Sequence, residues 1–336
     1  MSQQANRTPV DLAEIPAFPP IALRVLDLLS RDDVRVPDLT GLISSDPVLA
    51  AQVLRLANSA QFGHKSRIDN LNRALTTLGL SRVQSLSITV ATCNYARVAL
   101  KFAELRRCWQ HTLACAVLSR ELARACGLPE DRAYGVGLLH DIGRLALLVC
   151  YPAEYALLLR DADRDIEGLL NLESRRFGMD HCEAGRQLAA RWQLPPDFAV
   201  AAGRHHDTPS GEAPDLLTVV HVACRLADAL SFSVVAPLRP AAFEDVVALL
   251  PPAARQRLGA DAEVLRAEVQ RSIESYDSAD PRPAHAASGL SVSEEPEPAP
   301  PDPPLPRSLL REAAMAAAIG AVFLAVVLCA YFIWAR

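Results

Sequence analysis

The stretch Gly137-Leu-Leu-His-Asp-Ile-Gly-Arg-Leu-Ala-Leu-Leu148 sets an adjacent imidazole and carboxylate, His140 and Asp141, inside an otherwise apolar run. The run reads as core helix, with the His-Asp pair in its middle. A carboxylate in a core is costly unless something pairs with it. A metal ion meets that need, and so do hydrogen bonds. Arg144 lies one turn after His140 and shares its helical face. It is placed to hold a phosphate bidentately or to pair with Asp141.

Outward from this run, the signals are helical. Asp46-Pro47 combines a capping carboxylate with proline in the first turn, and Leu49, Val53 and Leu56 then recur at helical spacing. Leu128-Pro129-Glu130 and Leu194-Pro195-Pro196 break one helix from the next, and Gly79 and Gly127 read as C-terminal stops. No alternating strand and no glycine-rich phosphate loop stands out. The expectation is an all-α bundle of roughly a dozen helices.

The histidines are concentrated. Six of the eight fall between 111 and 221: His111, His140, His181, His205, His206 and His221. Trp109-Gln-His111 reads as the opening of an apolar helix, and Met179-Asp-His181 as the start of another. His205-His206 follows a short helix, and Asp228 shares a face with His221 in the helix 216–232. Imidazole and carboxylate form the mixed N/O set that suits Fe, Mn, Zn or Ni. The residues suffice for one or two such ions. His111, His140, Asp141 and Asp228 would hold one, and His181, His205 and His206 a second, with Arg144 on phosphate. Paired metals are a recurring device of phosphoester hydrolysis.

The chain has 336 residues, half of them hydrophobic, and a net charge of −5. It carries no block of basic residues, so a nucleic-acid footprint is absent. Its eight cysteines form no C-x-x-C pair and sit in apolar helical contexts; they read as small buried thiols of a reducing compartment.

Composition changes abruptly after residue 276. Residues 277–306 are rich in Pro, Ala, Ser and Glu and read as an extended tether. Residues 313–334, AAMAAAIGAVFLAVVLCAYFIW, carry no charge. As a helix they reach roughly 33 Å, enough for a hydrocarbon core of about 30 Å. Tyr331, Phe332 and Trp334 stand where an interfacial aromatic belt belongs. Arg307 and Arg311 precede the span and only Arg336 follows it, which places the N-terminal part in the cytoplasm and the chain on the inner membrane, held by one C-terminal pass. Ala313, Ala317 and Ala321 form a small-residue ridge of the kind that pairs spans, so a homodimer is an expected arrangement.

His111, His140-Asp141 and Asp228 resemble the HD metal-dependent phosphohydrolase superfamily, and His181 with His205-His206 extends the likeness toward the HD-GYP cyclic-dinucleotide phosphodiesterases. Two features depart from HD-GYP. Asp207-Thr-Pro-Ser-Gly-Glu-Ala-Pro214 follows His206 without a Gly-Tyr-Pro signature, and Arg144 stands where Lys is expected. The sequence as a whole is most similar to the HDOD family. The resemblance is carried by Ile15-Pro-Ala-Phe-Pro-Pro-Ile-Ala-Leu-Arg-Val-Leu26, Ser45-Asp-Pro-Val-Leu49, Leu56-Ala-Asn-Ser59, Ala74-Leu-Thr-Thr-Leu-Gly79, Gly137 to Gly143, His181 to Pro195 and Ala227-Asp-Ala-Leu230.

That resemblance implies a multi-helix bundle in two parts, an N-terminal helical subdomain over 14–100 and an HD-like subdomain over 101–235. A helical extension (236–276), the linker (277–306) and the transmembrane helix (313–334) follow. It also implies a bacterial signalling module that acts through protein partners, often without catalysis; the tether adds the expectation that membrane-bound proteins are among them. The alternative it carries is a metal-dependent phosphohydrolase acting on a nucleotide or cyclic nucleotide.

Overall fold

Local chemistry sets most helix boundaries. The Asp46 carboxylate accepts from the amides of Val48 and Leu49, each at 3.0 Å, and starts α3 (Pro47–Ala57). A cap of this kind is worth about 1 kcal/mol. Gly79, with φ +86°, ends α4 (Leu71–Leu78) and turns the chain into α5 (Leu80–Ala96). Gly127 ends α6 (Ala103–Cys126) in the left-handed conformation. Pro129 and Pro195 open α7 (Glu130–Leu139) and α12 (Pro196–Arg204).

The computed structural model describes residues 10–279, except for 30, 32, 60–66, 98, 163–165, 210–212, 236–240 and 260. Among the described residues there are sixteen α-helices and no strand, more helices than the dozen expected because several are short. The others are α1 (Pro20–Leu29), α2 (Val36–Ser44), α8 (Ile142–Cys150), α9 (Pro152–Asp161), α10 (Ile166–Phe177), α11 (His181–Arg191), α13 (Leu216–Ala229), α14 (Phe243–Val247), α15 (Pro252–Leu258) and α16 (Ala262–Ala279). The expected span 313–334 and nearly all of the expected linker lie outside the described residues. α16 runs to Ala279, three residues into the segment read as linker.

Two apolar clusters form the core. The smaller gathers Leu39 and Ile43 of α2, Leu49, Val53 and Leu56 of α3, and Leu71 and Leu75 of α4. The larger centres on α6, α7, α8 and α13. α5 serves both: Val83, Leu86 and Val90 face the first, Ile88 and Ala91 the second. With both faces covered it carries little amphipathic pattern, and its Ser87, Thr89 and Thr92 hydroxyls donate to carbonyls one turn back. α16 closes the back through Leu265, Val269 and Ile273.

Two sequence readings are corrected. His140 and Asp141 are not in mid-helix; they form the turn between α7 and α8, with Asp141 at φ −96°, ψ 23°. Breaking the helix there lets both polar side chains turn to one point. The combined run Glu130–Cys150 is long and apolar enough to cross a membrane by length and composition, yet 89% of its most apolar window is buried within the protein. His111 does not open a helix either. It lies inside the 24-residue α6, which begins at Ala103 after a single 3-10 turn.

Candidate metal centre

Four helix ends converge on Asp141: the end of α7 at His140, the start of α8, the start of α11 at His181, and the end of α12 at His205. Gly143 makes the approach close. A Cβ there would lie 2.0 Å from the His181 carbonyl oxygen and 2.4 Å from the Gly185 nitrogen, so α8 and α11 meet backbone to backbone. Gly137 does the same toward α6, where a Cβ would come within 2.5 Å of Ser119 Oγ.

The convergence leaves a buried polar knot. Asp141 Oδ1 is 3.4 Å from both His181 Nε2 and His205 Nε2, and Oδ2 is 3.6 Å from His140 Nε2. Arg144 Nε lies 2.9 Å from Oδ2. Arg144 is the largest fully buried side chain, at 1% exposure. Its Nη2 is 3.0 Å from His181 Nε2. On its other side, His181 Nδ1 meets Glu173 Oε2 at 2.7 Å, and the His181 amide donates to the same oxygen at 2.9 Å. The second Glu173 oxygen accepts from the Tyr155 hydroxyl. His206 adds its Nε2 at 3.2 Å from His181 Nε2.

The charges follow from this packing. Burial raises the Asp141 carboxyl, but Arg144 and then His140 outweigh it and hold the group well below the usual carboxylate range. Glu173 is lowered likewise, burial being overcome chiefly by His181. Burial lowers His140, and lowers His206 further with the help of neighbouring His205.

The expected ligands are therefore regrouped. His140, Asp141, His181, His205 and His206 come together with Arg144. His111 lies beside His140, its ring tilted and the centroids 5.6 Å apart, but its Nε2 faces Cys224 Sγ at 3.4 Å and Cys115 Sγ at 3.5 Å. Asp228 stays with His111, 3.8 Å from its Nδ1 and with a side chain 43% exposed. His221 is a strut whose Nδ1 donates to the His205 carbonyl at 3.0 Å. A phosphate contact at Arg144 requires access to a guanidinium that is fully buried. Glu173, Tyr155, Cys115 and Cys224 were not singled out from sequence. Only the His111 and Cys115 spacing, one helical turn, is a signal that reading could have used.

The HDOD domain family model matches residues 15–208, more than half of the sequence. The chain belongs to the HDOD family. An uncharacterised protein of Treponema pallidum (strain Nichols) is 30% identical over 200 residues, 58% of this chain and 38% of that protein. The chain thus spans well under half the length of that relative. A crystal structure of an HDOD domain protein of unknown function from Geobacter sulfurreducens is 26% identical, with a TM-score of 0.62 over 80% of this chain and 93% of that one. A candidate phosphohydrolase from Shewanella amazonensis SB2B shares the fold at 23% identity, with a TM-score of 0.57 over 80% and 96% of the two chains.

In this HDOD protein the buried cluster can bind a metal. His140 Nδ1 is 2.7 Å from the Gly137 carbonyl and His205 Nδ1 is 3.0 Å from that of Ala201. A carbonyl only accepts, so each Nδ1 carries the proton and each Nε2 presents a lone pair. Those lone pairs face Asp141, whose oxygens, like His140 Nε2 and His205 Nε2, make no hydrogen bond. Arg144 already sets a cation against Oδ2, and His140 Nε2, His205 Nε2 and Oδ1 are the acceptors left for a second one. His140, Asp141 and His205 offer donor atoms within 4.8 Å of one another, a mixed N/O set that fits Fe, Mn, Zn or Ni. When bound, such an ion supplies Lewis acidity and an activated water.

Proposed function

We propose that this HDOD protein is a non-catalytic signalling or scaffold module that acts through protein partners and is held at the inner membrane by its C-terminal segment. The observation that carries the non-catalytic reading is the placement of Arg144. Its guanidinium, fully buried, engages Asp141 Oδ2 and His181 Nε2 from within the protein. A two-metal hydrolytic centre would use those same atoms, and a substrate phosphate would need that cation. Here the cation serves as an internal counterion.

The tether rests on sequence. The uncharged 22-residue segment 313–334 follows a proline-rich stretch, and its flanking arginines favour a cytoplasmic N-terminal module. The linker lets the module range over the membrane surface and meet membrane-bound partners, and the Ala313, Ala317 and Ala321 ridge offers a route to a homodimer. Fractionation tests this: the full chain is expected with the membranes, and the chain lacking 307–336 in the soluble fraction.

A specific observation favours the second reading, a metal-dependent phosphohydrolase acting on a nucleotide or cyclic nucleotide. His140 Nε2, His205 Nε2 and Asp141 Oδ1 remain unsatisfied beside Arg144. The Shewanella neighbour is itself a candidate phosphohydrolase. Turnover of a phosphodiester by the manganese- or iron-loaded chain would establish it.

A further inference from the structure

On the far side of His140 lies a second donor set of a different chemical kind. His111 and Cys115 stand one turn apart on α6, Cys224 faces them from α13, and His140 Nε2 enters from the α7–α8 turn. The four donor atoms lie within 4.8 Å of one another, and all four residues are buried.

Geometry and tautomer both point to a cation. The two sulfurs lie 3.4 and 3.5 Å from His111 Nε2. With Zn–S near 2.3 Å and Zn–N near 2.0–2.1 Å, the edges of a tetrahedral zinc site are roughly 3.3–3.8 Å. His111 Nδ1 is 2.9 Å from the Phe232 carbonyl, as His140 Nδ1 is from that of Gly137 at 2.7 Å. Each Nδ1 donates to its carbonyl and leaves its Nε2 for the cluster, where burial lowers the His111 imidazole but neighbouring Cys224 outweighs it and raises it to about 9. A backbone carbonyl on the other ring nitrogen is the usual support of a metal-bound histidine. His140 Nε2 has no hydrogen bond within the protein.

We propose that His111, Cys115, His140 and Cys224 form a closed four-coordinate site for a thiophilic divalent cation, zinc foremost. Binding forms two metal–sulfur and two metal–nitrogen bonds and releases the two thiol protons to solvent. The resulting unit, one dication and two thiolates, is neutral and so can be buried at low electrostatic cost. Thiolates select zinc over manganese or magnesium. With all four positions filled by protein the site is structural. It fastens α6 to α13, and because one Nε2 binds one ion it takes His140 from the Asp141 and His205 set. This goes beyond the signalling reading and is independent of it, since a zinc-free protein overturns the site and leaves that reading untouched.

The test is metal analysis and zinc-edge X-ray absorption on the full chain, purified without chelator. The expected result is about one zinc per chain, with sulfur scatterers near 2.3 Å and nitrogen near 2.0 Å. The double substitution Cys115→Ser/Cys224→Ser is expected to bring zinc to background while Asp141→Asn retains it. Absence of zinc, or a first shell of nitrogen and oxygen alone, would overturn the proposal. The spectrum of the unsubstituted chain decides even where a variant fails to fold.

Discussion

Arg144 Nε lies 2.9 Å from Asp141 Oδ2, and neither side chain reaches solvent. A buried pair of this kind adds little net stability compared with an apolar pair, but breaking it strands a charge. Arg144→Met is expected to cost about 3–5 kcal/mol. Chemical denaturation of the substituted chain checks this; a change under about 1 kcal/mol would show the carboxylate finding another partner.

The same pair gives a pH dependence. The folded-state pKa of Asp141 lies below its ordinary value. Its contribution is therefore complete above the unfolded pKa, near pH 4, and is lost as the pH falls through the folded value. Glu173 adds a second contribution of the same sign. Unfolding midpoints followed from pH 6 downward are expected to fall less steeply in Asp141→Asn than in the unsubstituted chain.

Glu173 positions His181 by taking its Nδ1 and its amide on one oxygen and Tyr155 on the other. Tyr155→Phe removes one hydrogen bond to a charged group and is expected to cost about 1.5–3 kcal/mol. Glu173→Ala removes three and leaves their buried donors unpaired, so it is expected to cost more than Tyr155→Phe. Equal losses in the two variants would mean that the His181 contacts contribute nothing.

Gly143→Ala tests the backbone contact that brings Asp141 to His181. The added methyl meets the His181 carbonyl and the Gly185 backbone, neither of which is a flexible side-chain end. The expected loss is about 1–3 kcal/mol or more. Gly41, where an added Cβ meets nothing within 4 Å, is the control: Gly41→Ala in the exposed part of α2 is expected to be neutral or stabilising.

For the C-terminal segment, Val326→Arg is expected to cost about 3 kcal/mol at the centre of a membrane helix. It should shift the chain toward the soluble fraction without changing the unfolding of the helical module. Unchanged fractionation would count against the anchor.

The parts of the fold legible in sequence were those with local chemistry. Asp46, Gly79, Gly127, Pro129 and Pro195 each set a helix end by capping, positive φ or a missing amide, whatever the tertiary context. The break at His140-Asp141 was not legible. No proline or helix-ending glycine marks it, and the chain turns there because four helices meet. For Arg144 the sequence left two partners open, a phosphate or Asp141; the structure pairs it with Asp141, and its burial accompanies the close approach of α8 and α11. Glu173 sits in Leu172-Glu-Ser-Arg-Arg176, which reads as a solvated face. The partner of Cys115 lies 109 positions further on in sequence, at Cys224, so only the fold reveals the pair.

We propose that the Asp141 knot is held by an internal counterion and does no hydrolysis. The direct measurement is phosphodiester turnover by the full chain loaded with manganese or iron, run beside Asp141→Asn on nucleotide and cyclic-dinucleotide substrates. The account predicts no turnover above the Asp141→Asn background. A metal-dependent rate that Asp141→Asn abolishes would contradict it.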